Sequence, residues 1–160
     1  MQDEQNFSTE GGCACGGVRY RLLSRPLFVH CCHCRWCQRE SGAAFALNAL
    51  IEAVRVEVLK GAAAAVVTPS QSDKGQEFHR CPDCHIALWS HYAGMGAKVC
   101  FIRVGTLDNP NLLAPDIHIF TSTKQPWVNL EGGAPVVAEY YSKKDFWPAA
   151  SLERWRALEE

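Results

Sequence analysis

Eight of the nine cysteines in this 160-residue chain fall into three short clusters, and no other feature restricts the possible folds as much. The clusters are Cys13-Ala14-Cys15, Cys31-Cys32-His33-Cys34-Arg35-Trp36-Cys37 and Cys81-Pro82-Asp83-Cys84. Cys100 stands apart in the apolar run from Val99 to Val104 and reads as core. The cysteine count is odd, and the chain opens Met1-Gln2-Asp3-Glu4-Gln5 without the basic and apolar regions of a signal peptide. Both features argue against a secreted disulfide framework and for a cytoplasmic protein whose thiols bind metal.

Spacing divides the thiols. Cys13 and Cys15 read as alternate residues of a strand, whose side chains share a face. Cys81 and Cys84 converge on a turn that Pro82 presets. Four thiolates saturate tetrahedral zinc and leave no position for water, so Cys13, Cys15, Cys81 and Cys84 read as a structural site. By the same alternation Cys32 and Cys34 point together, Cys37 comes round on the following turn, and Cys31 and His33 face away. Three thiolates with no fourth ligand fixed leave a vacancy, the mark of a catalytic zinc. His33 is the rival fourth ligand, but it alternates out of phase. The expectation is two zincs per chain, the one held by Cys32, Cys34 and Cys37 being the more labile.

Other metal-thiol classes fit less well. A thioredoxin-like dithiol belongs at a helix start in an alternating α/β chain, and a nucleic-acid-binding zinc ribbon pairs two C-x-x-C knuckles with basic charge. With 16 basic and 17 acidic residues the net charge is −1, which provides no field for nucleic acid or an anionic membrane. No run approaches the roughly 20 apolar residues of a membrane span. A small molecule is the partner expected.

The length suits one domain, with residues 1–10 flexible and 11–160 folded. Alternation and turn residues predict strands over 18–22, 27–32, 45–51, 54–59, 62–67, 76–80, 87–92, 99–104 and 117–120, giving a mainly β fold. A short helix is expected after Cys37, a single turn at Pro110 to Leu113, and a C-terminal helix over about 148–159. Leu152, Trp155 and Leu158 form a stripe on that last helix that docks on its own domain or on a second copy in a homo-oligomer.

The chain resembles the glutathione-dependent formaldehyde-activating (GFA) family. The resemblance rests on Gly12-Cys-Ala-Cys-Gly-Gly-Val-Arg-Tyr20, Cys32-His-Cys-Arg-Trp-Cys-Gln-Arg-Glu-Ser-Gly42, Phe78-His-Arg-Cys-Pro-Asp-Cys84, Gly105-Thr-Leu-Asp108, His118-Ile-Phe-Thr121 and Lys124-Gln-Pro-Trp127. It implies small coiled antiparallel β-sheets around zinc. It also implies a carbon-sulfur lyase that joins a small thiol such as glutathione to a small aldehyde such as formaldehyde. Carried over, the structural zinc falls on Cys13, Cys15, Cys81 and Cys84 and the catalytic zinc on Cys32, Cys34 and Cys37. Arg35, Arg39 and Lys124, in or near the motifs, become candidate anchors for substrate carboxylates; Trp36, Phe45 and Trp127 become candidate pocket walls. His118 reads as a hydrogen-bonded structural residue.

Three positions depart from the family pattern. His85 replaces a glycine where positive φ is convenient, Gln38 replaces a basic residue, and Cys31 is an extra thiol. Two rival readings follow: a non-catalytic module in which both zincs brace a protein-binding surface, and a redox or zinc-exchange sensor using the adjacent Cys31 and Cys32. The division of thiols is testable. Cys81→Ala is expected to unfold the protein, whereas Cys32→Ala should retain the circular dichroism spectrum and melting transition while losing turnover.

Overall fold

Val18, Tyr20 and Leu22 are fully buried while Arg19 and Arg21 between them stay partly exposed, the period of a strand with one wet face. The same logic runs through a computed structural model that describes residues 6–160. In chain order its strands are β1 (Thr9–Gly12), β2 (Arg19–Leu22), β3 (Phe28–Cys32), β4 (Ala46–Glu52), β5 (Val56–Lys60), β6 (Ala64–Thr68), β7 (Gln76–Arg80), β8 (Ala87–Tyr92), β9 (Val99–Arg103) and β10 (Ile117–Ile119). The helices are α1 (Arg35–Ser41), α2 (Lys143–Phe146) and α3 (Ala149–Glu159), and one of five short 3₁₀ turns among the described residues falls at Pro110–Leu112, where a turn is expected. Among the described residues no helix is long and apolar enough to cross a membrane.

The fold is mainly β with a C-terminal helix. Two sheets form, one ordered β1-β2-β5 and one ordered β10-β3-β4-β9-β8-β7-β6. Pairing is antiparallel throughout except between β10 and β3, which run parallel. β3 is buried along its whole length, His30 included, and its backbone is paired on both edges, with β10 and β4. The turn after β5 needs Gly61: its φ is 69°, and a Cβ there would lie 2.1 Å from the Gly17 carbonyl oxygen. β1 opens at Thr9, inside the stretch expected to be flexible, and Phe7 packs on the core edge with Arg25 5.0 Å above its ring. Residues 1–5 of that stretch lie outside the described residues.

Two apolar clusters fill the interior. One gathers Tyr20, Leu22, Leu88, Ile102 and Cys100, so Cys100 is core as read. The other gathers Leu27, Leu50, Val99, Ile117, Trp147 and Trp155, with Leu152 and Leu158 against it. The apolar stripe of α3 therefore docks on its own chain, where Trp147 and Trp155 meet edge to face at 5.4 Å.

A buried ion pair fixes that docking. Arg154 of α3 donates through Nε and Nη2 to both carboxylate oxygens of Glu52, at 2.7 and 2.5 Å, and Nη1 reaches the Arg25 carbonyl at 3.1 Å. Burial works to raise the Glu52 pKa, but the hydrogen bonds and charge of Arg154, its own backbone N–H and the charge of Arg55 together hold the carboxyl below its usual range. A carboxylate depressed in the fold adds stability above its unfolded pKa and loses it as pH falls through the folded value. Arg154→Ala leaves the buried Glu52 carboxylate with Arg55 alone, 3.3 Å away, which should cost about 1.5–3 kcal/mol in urea denaturation at neutral pH. The cost should shrink as the medium is acidified through the carboxylate range.

Candidate metal centre

The first thiol pair is set by a turn. The chain leaves β1 at Gly12, the Gly16 N–H returns to the Cys13 carbonyl at 3.2 Å, and Gly16 takes φ 72°. Strand alternation was the expected cause of Cys13 and Cys15 meeting. The structure corrects that, because the left-handed residue at Gly16 curls the chain before a strand can continue. The second pair lies in the β7–β8 turn, where Cys81 N–H donates to the Ile86 carbonyl and His85 N–H to the Cys81 carbonyl, both at 3.0 Å. His85 has φ 63°, so the position that departs from glycine does carry a left-handed backbone.

The pairs meet. Cys13 and Cys15 sulfurs lie 3.5 Å apart, Cys15 and Cys81 sulfurs 3.6 Å, and all four ligand atoms fall within 4.8 Å of one another. Sulfurs bound at about 2.3 Å to one tetrahedral ion would stand about 3.8 Å apart, so the donor set fits a single metal ion.

The second centre is built from a strand end and a helix start. Cys32 closes β3. Cys34 is the N-cap of α1, with extended backbone and its sulfur accepting the Cys37 N–H at 3.3 Å, and Cys37 lies in the first helical turn. Here too the expected strand alternation gives way, since Cys34 has already left the ladder to cap the helix. The three buried sulfurs lie within 4.8 Å of one another, and among the described residues the group stops at three. The hydrogen bonds from Cys32 and Cys37 pull the Cys34 thiol down to about 3, and those same contacts with burial push Cys32 up. Three thiolates so close cannot coexist without a cation, which is the charge a metal ion supplies.

Gln38 holds α1 in place. Its Nε2 donates to the carbonyls of His33 (2.7 Å) and Thr123 (2.9 Å), and its Oε1 accepts from Arg35 (2.9 Å) and Gln125 (2.7 Å). A neutral amide suits this buried position because it offers donor and acceptor at once, which a basic side chain cannot. Glu40 on the same helix bridges Arg80, next to Cys81, and Arg103 of β9. His33 turns away from the thiol trio. Its Nε2 lies 3.5 Å from the Cys31 sulfur and 3.1 Å from His118 Nδ1, and burial lowers its pKa to about 4.

Beside Cys32 and Cys34 opens a cavity of about 660 Å³. Leu50, Phe101, Tyr92 and Phe120 wall one part, and Tyr140, Lys143 and Trp155 another. His30 lines it as a neutral imidazole, its pKa held near 3 by burial and by Lys143. The Tyr141 hydroxyl accepts the Trp147 indole N–H at 2.7 Å and is hydrogen-bonded to His30 Nε2 at 2.5 Å. Burial raises the pKa of Tyr92 and Tyr140, with the neighbouring thiols adding to it.

The candidate substrate residues are placed elsewhere. Arg35 and Arg39, one helical turn apart on the outer face of α1, line a separate open groove with Trp127, which is 75 % exposed. Lys124 donates to the carbonyls of Gln125 and Val128 at 3.0 and 2.7 Å. Trp36 and Phe45 are partly exposed and do not line the cavity; Phe45 packs on His33. Tyr92, Tyr140, Lys143 and Trp155 escaped sequence reasoning, since each is spaced like ordinary core or surface.

The family model described as glutathione-dependent formaldehyde-activating enzyme matches residues 8–123. A protein of Halomonas elongata, provisionally named a glutathione-dependent formaldehyde-activating enzyme, is 27% identical over 128 residues, 76% of this chain and 80% of the relative. A crystal structure of a Rhodobacter sphaeroides protein aligns with 80% of this chain and 99% of its own at 18% identity and TM-score 0.48.

The left-handed backbone at His85 generates a prediction. Relief of about 1–2 kcal/mol of Cβ strain, less about 0.4–1 kcal/mol for the freer unfolded chain, means that His85→Gly should stabilise the metal-loaded protein slightly. The check is a rise in the chemical denaturation midpoint with unchanged slope.

Proposed function

The chain belongs to the glutathione-dependent formaldehyde-activating enzyme family, and from that premise we propose that it is a zinc-dependent carbon-sulfur lyase that makes and breaks thiol–aldehyde adducts. The observation that carries this reading is the thiol trio opening onto a cavity: Cys32 and Cys34 line it, and Cys37, also buried, completes the trio. Zinc would be held by Cys13, Cys15, Cys81 and Cys84 as a structural ion and by Cys32, Cys34 and Cys37 as a catalytic one. When bound at the open set it supplies Lewis acidity and holds a thiol as its thiolate.

The reaction balances without an oxidant. A thiolate sulfur forms a bond to the aldehyde carbon, the carbonyl π pair moves to oxygen, and that oxygen takes up the proton the thiol gave. The reverse breaks the same bond. The chain's own groups serve the oxygen. Tyr92 and Tyr140 line the cavity with raised pKa values, so their phenols keep their protons and can donate to a developing alkoxide. His30 is fixed by Tyr141 and stays uncharged, adding no cation to compete for the thiolate. A binding module needs both ions for bracing but has no use for two thiols at the wall of a cavity.

Exchange spectroscopy on thiol and aldehyde mixtures tests the reading. Zinc-loaded protein should accelerate adduct exchange, and a mild chelator that strips one of two zincs without unfolding should abolish the acceleration. Cys34→Ser should lower it about a hundredfold or more while leaving the structural zinc in place. Protein with two bound zincs that accelerates no thiol–aldehyde pair would overturn the proposal.

A further inference from the structure

The cavity beside the thiol trio is far larger than a one-carbon aldehyde requires. At about 660 Å³ it has the size of sites that enclose a drug-sized ligand. Its inner wall comes from Leu50, Tyr92 and Phe101. Its outer wall, Tyr140, Lys143 and Trp155, comes from a C-terminal segment beyond the residues matched by the family model. That segment is firmly held. Residues 135–139 run beside β10 through bonds such as Val137 N–H to the His118 carbonyl (2.9 Å), and Tyr141 and Trp147 tie it to His30.

The rings are positioned as well as present. Tyr140 stacks on Tyr141 at 4.9 Å and lies 6.1 Å from Phe120. Phe120 sits at φ 53°, a conformation a bulky side chain adopts only when its surroundings impose it, and its N–H is held by the Glu139 carbonyl at 2.9 Å. The cationic lining groups are Lys74 and Lys143, and the Lys143 ammonium lies 4.4 Å over the Trp155 ring. Arg35 and Arg39 face the other groove. A ligand here meets a mainly apolar wall that includes Tyr92, Phe101, Phe120, Tyr140 and Trp155, and three charged groups, Lys74, Lys143 and Glu159.

We infer that the cavity accepts a thiol–aldehyde adduct bearing an aromatic-sized apolar group, with the C-terminal segment as the specificity wall. This rests on the proposed carbon-sulfur chemistry. Burying one such group against these rings should raise kcat/KM about ten- to a hundredfold over the glutathione–formaldehyde pair.

The zinc-loaded full chain would be assayed by exchange spectroscopy in two arms. One holds glutathione constant and compares formaldehyde with phenylacetaldehyde; the other holds formaldehyde constant and compares glutathione with 2-phenylethanethiol. Preference for the aryl member in either arm supports the inference and shows which half of the adduct fills the cavity. Ala93→Trp, at an exposed lining position, should then reduce the aryl-to-formaldehyde or aryl-to-glutathione ratio at least tenfold. If glutathione with formaldehyde is turned over as well as any aryl pair, or the ratio ignores Ala93→Trp, the inference falls and the lyase reading stands. If no pair is turned over, both fall.

Discussion

Four sulfurs join the two sheets, and the rest of the molecule depends on that junction. Cys13 and Cys15 lie where the small sheet turns from β1 to β2; Cys81 and Cys84 lie where the large sheet turns from β7 to β8. These are short connections between short strands. A metal ion across them would do what a larger apolar interface otherwise has to do, because the binding energy of a closed thiolate site is folding energy. The apolar cluster around Tyr20, Leu88 and Ile102 then fills in beneath a frame fixed at its corner.

The open centre draws on this frame without being part of it. Cys32 is held by a strand paired on both edges, whereas Cys34 and Cys37 are held by the cap and first turn of a seven-residue helix. A helix that short has little stability of its own. Gln38 and Glu40 supply it from outside, one by saturating its amide against two loops, the other by bridging to Arg80 and Arg103. Arg80 precedes Cys81, so the two sets of thiols share an ionic link through one carboxylate.

Much of this was legible in the residues. Alternation and turn residues located every strand but β1, and the partition into four and three thiols followed from spacing. The means of convergence did not follow, because a turn and a strand both bring the thiols of C-x-C together, and only the positive φ at Gly16 and the capping role of Cys34 separate them. Arg35 and Arg39 could have been placed on the outer face of α1 from helical period alone, once Cys37 is turned inward. The cavity could not have been read. Its walls come from β3, β4, β8, β9, β10, α2 and α3, and nothing local in Tyr92 or Trp155 marks them as neighbours of Cys32.

The outer wall is carried on its own stretch of chain, anchored to the rest by one edge of backbone hydrogen bonds, one histidine and one buried ion pair. The sulfur framework lies wholly upstream of it. In the proposed lyase such an arrangement would let appetite and chemistry drift independently: exchanging one ring of the tail for another would change the diet while leaving every sulfur where it is.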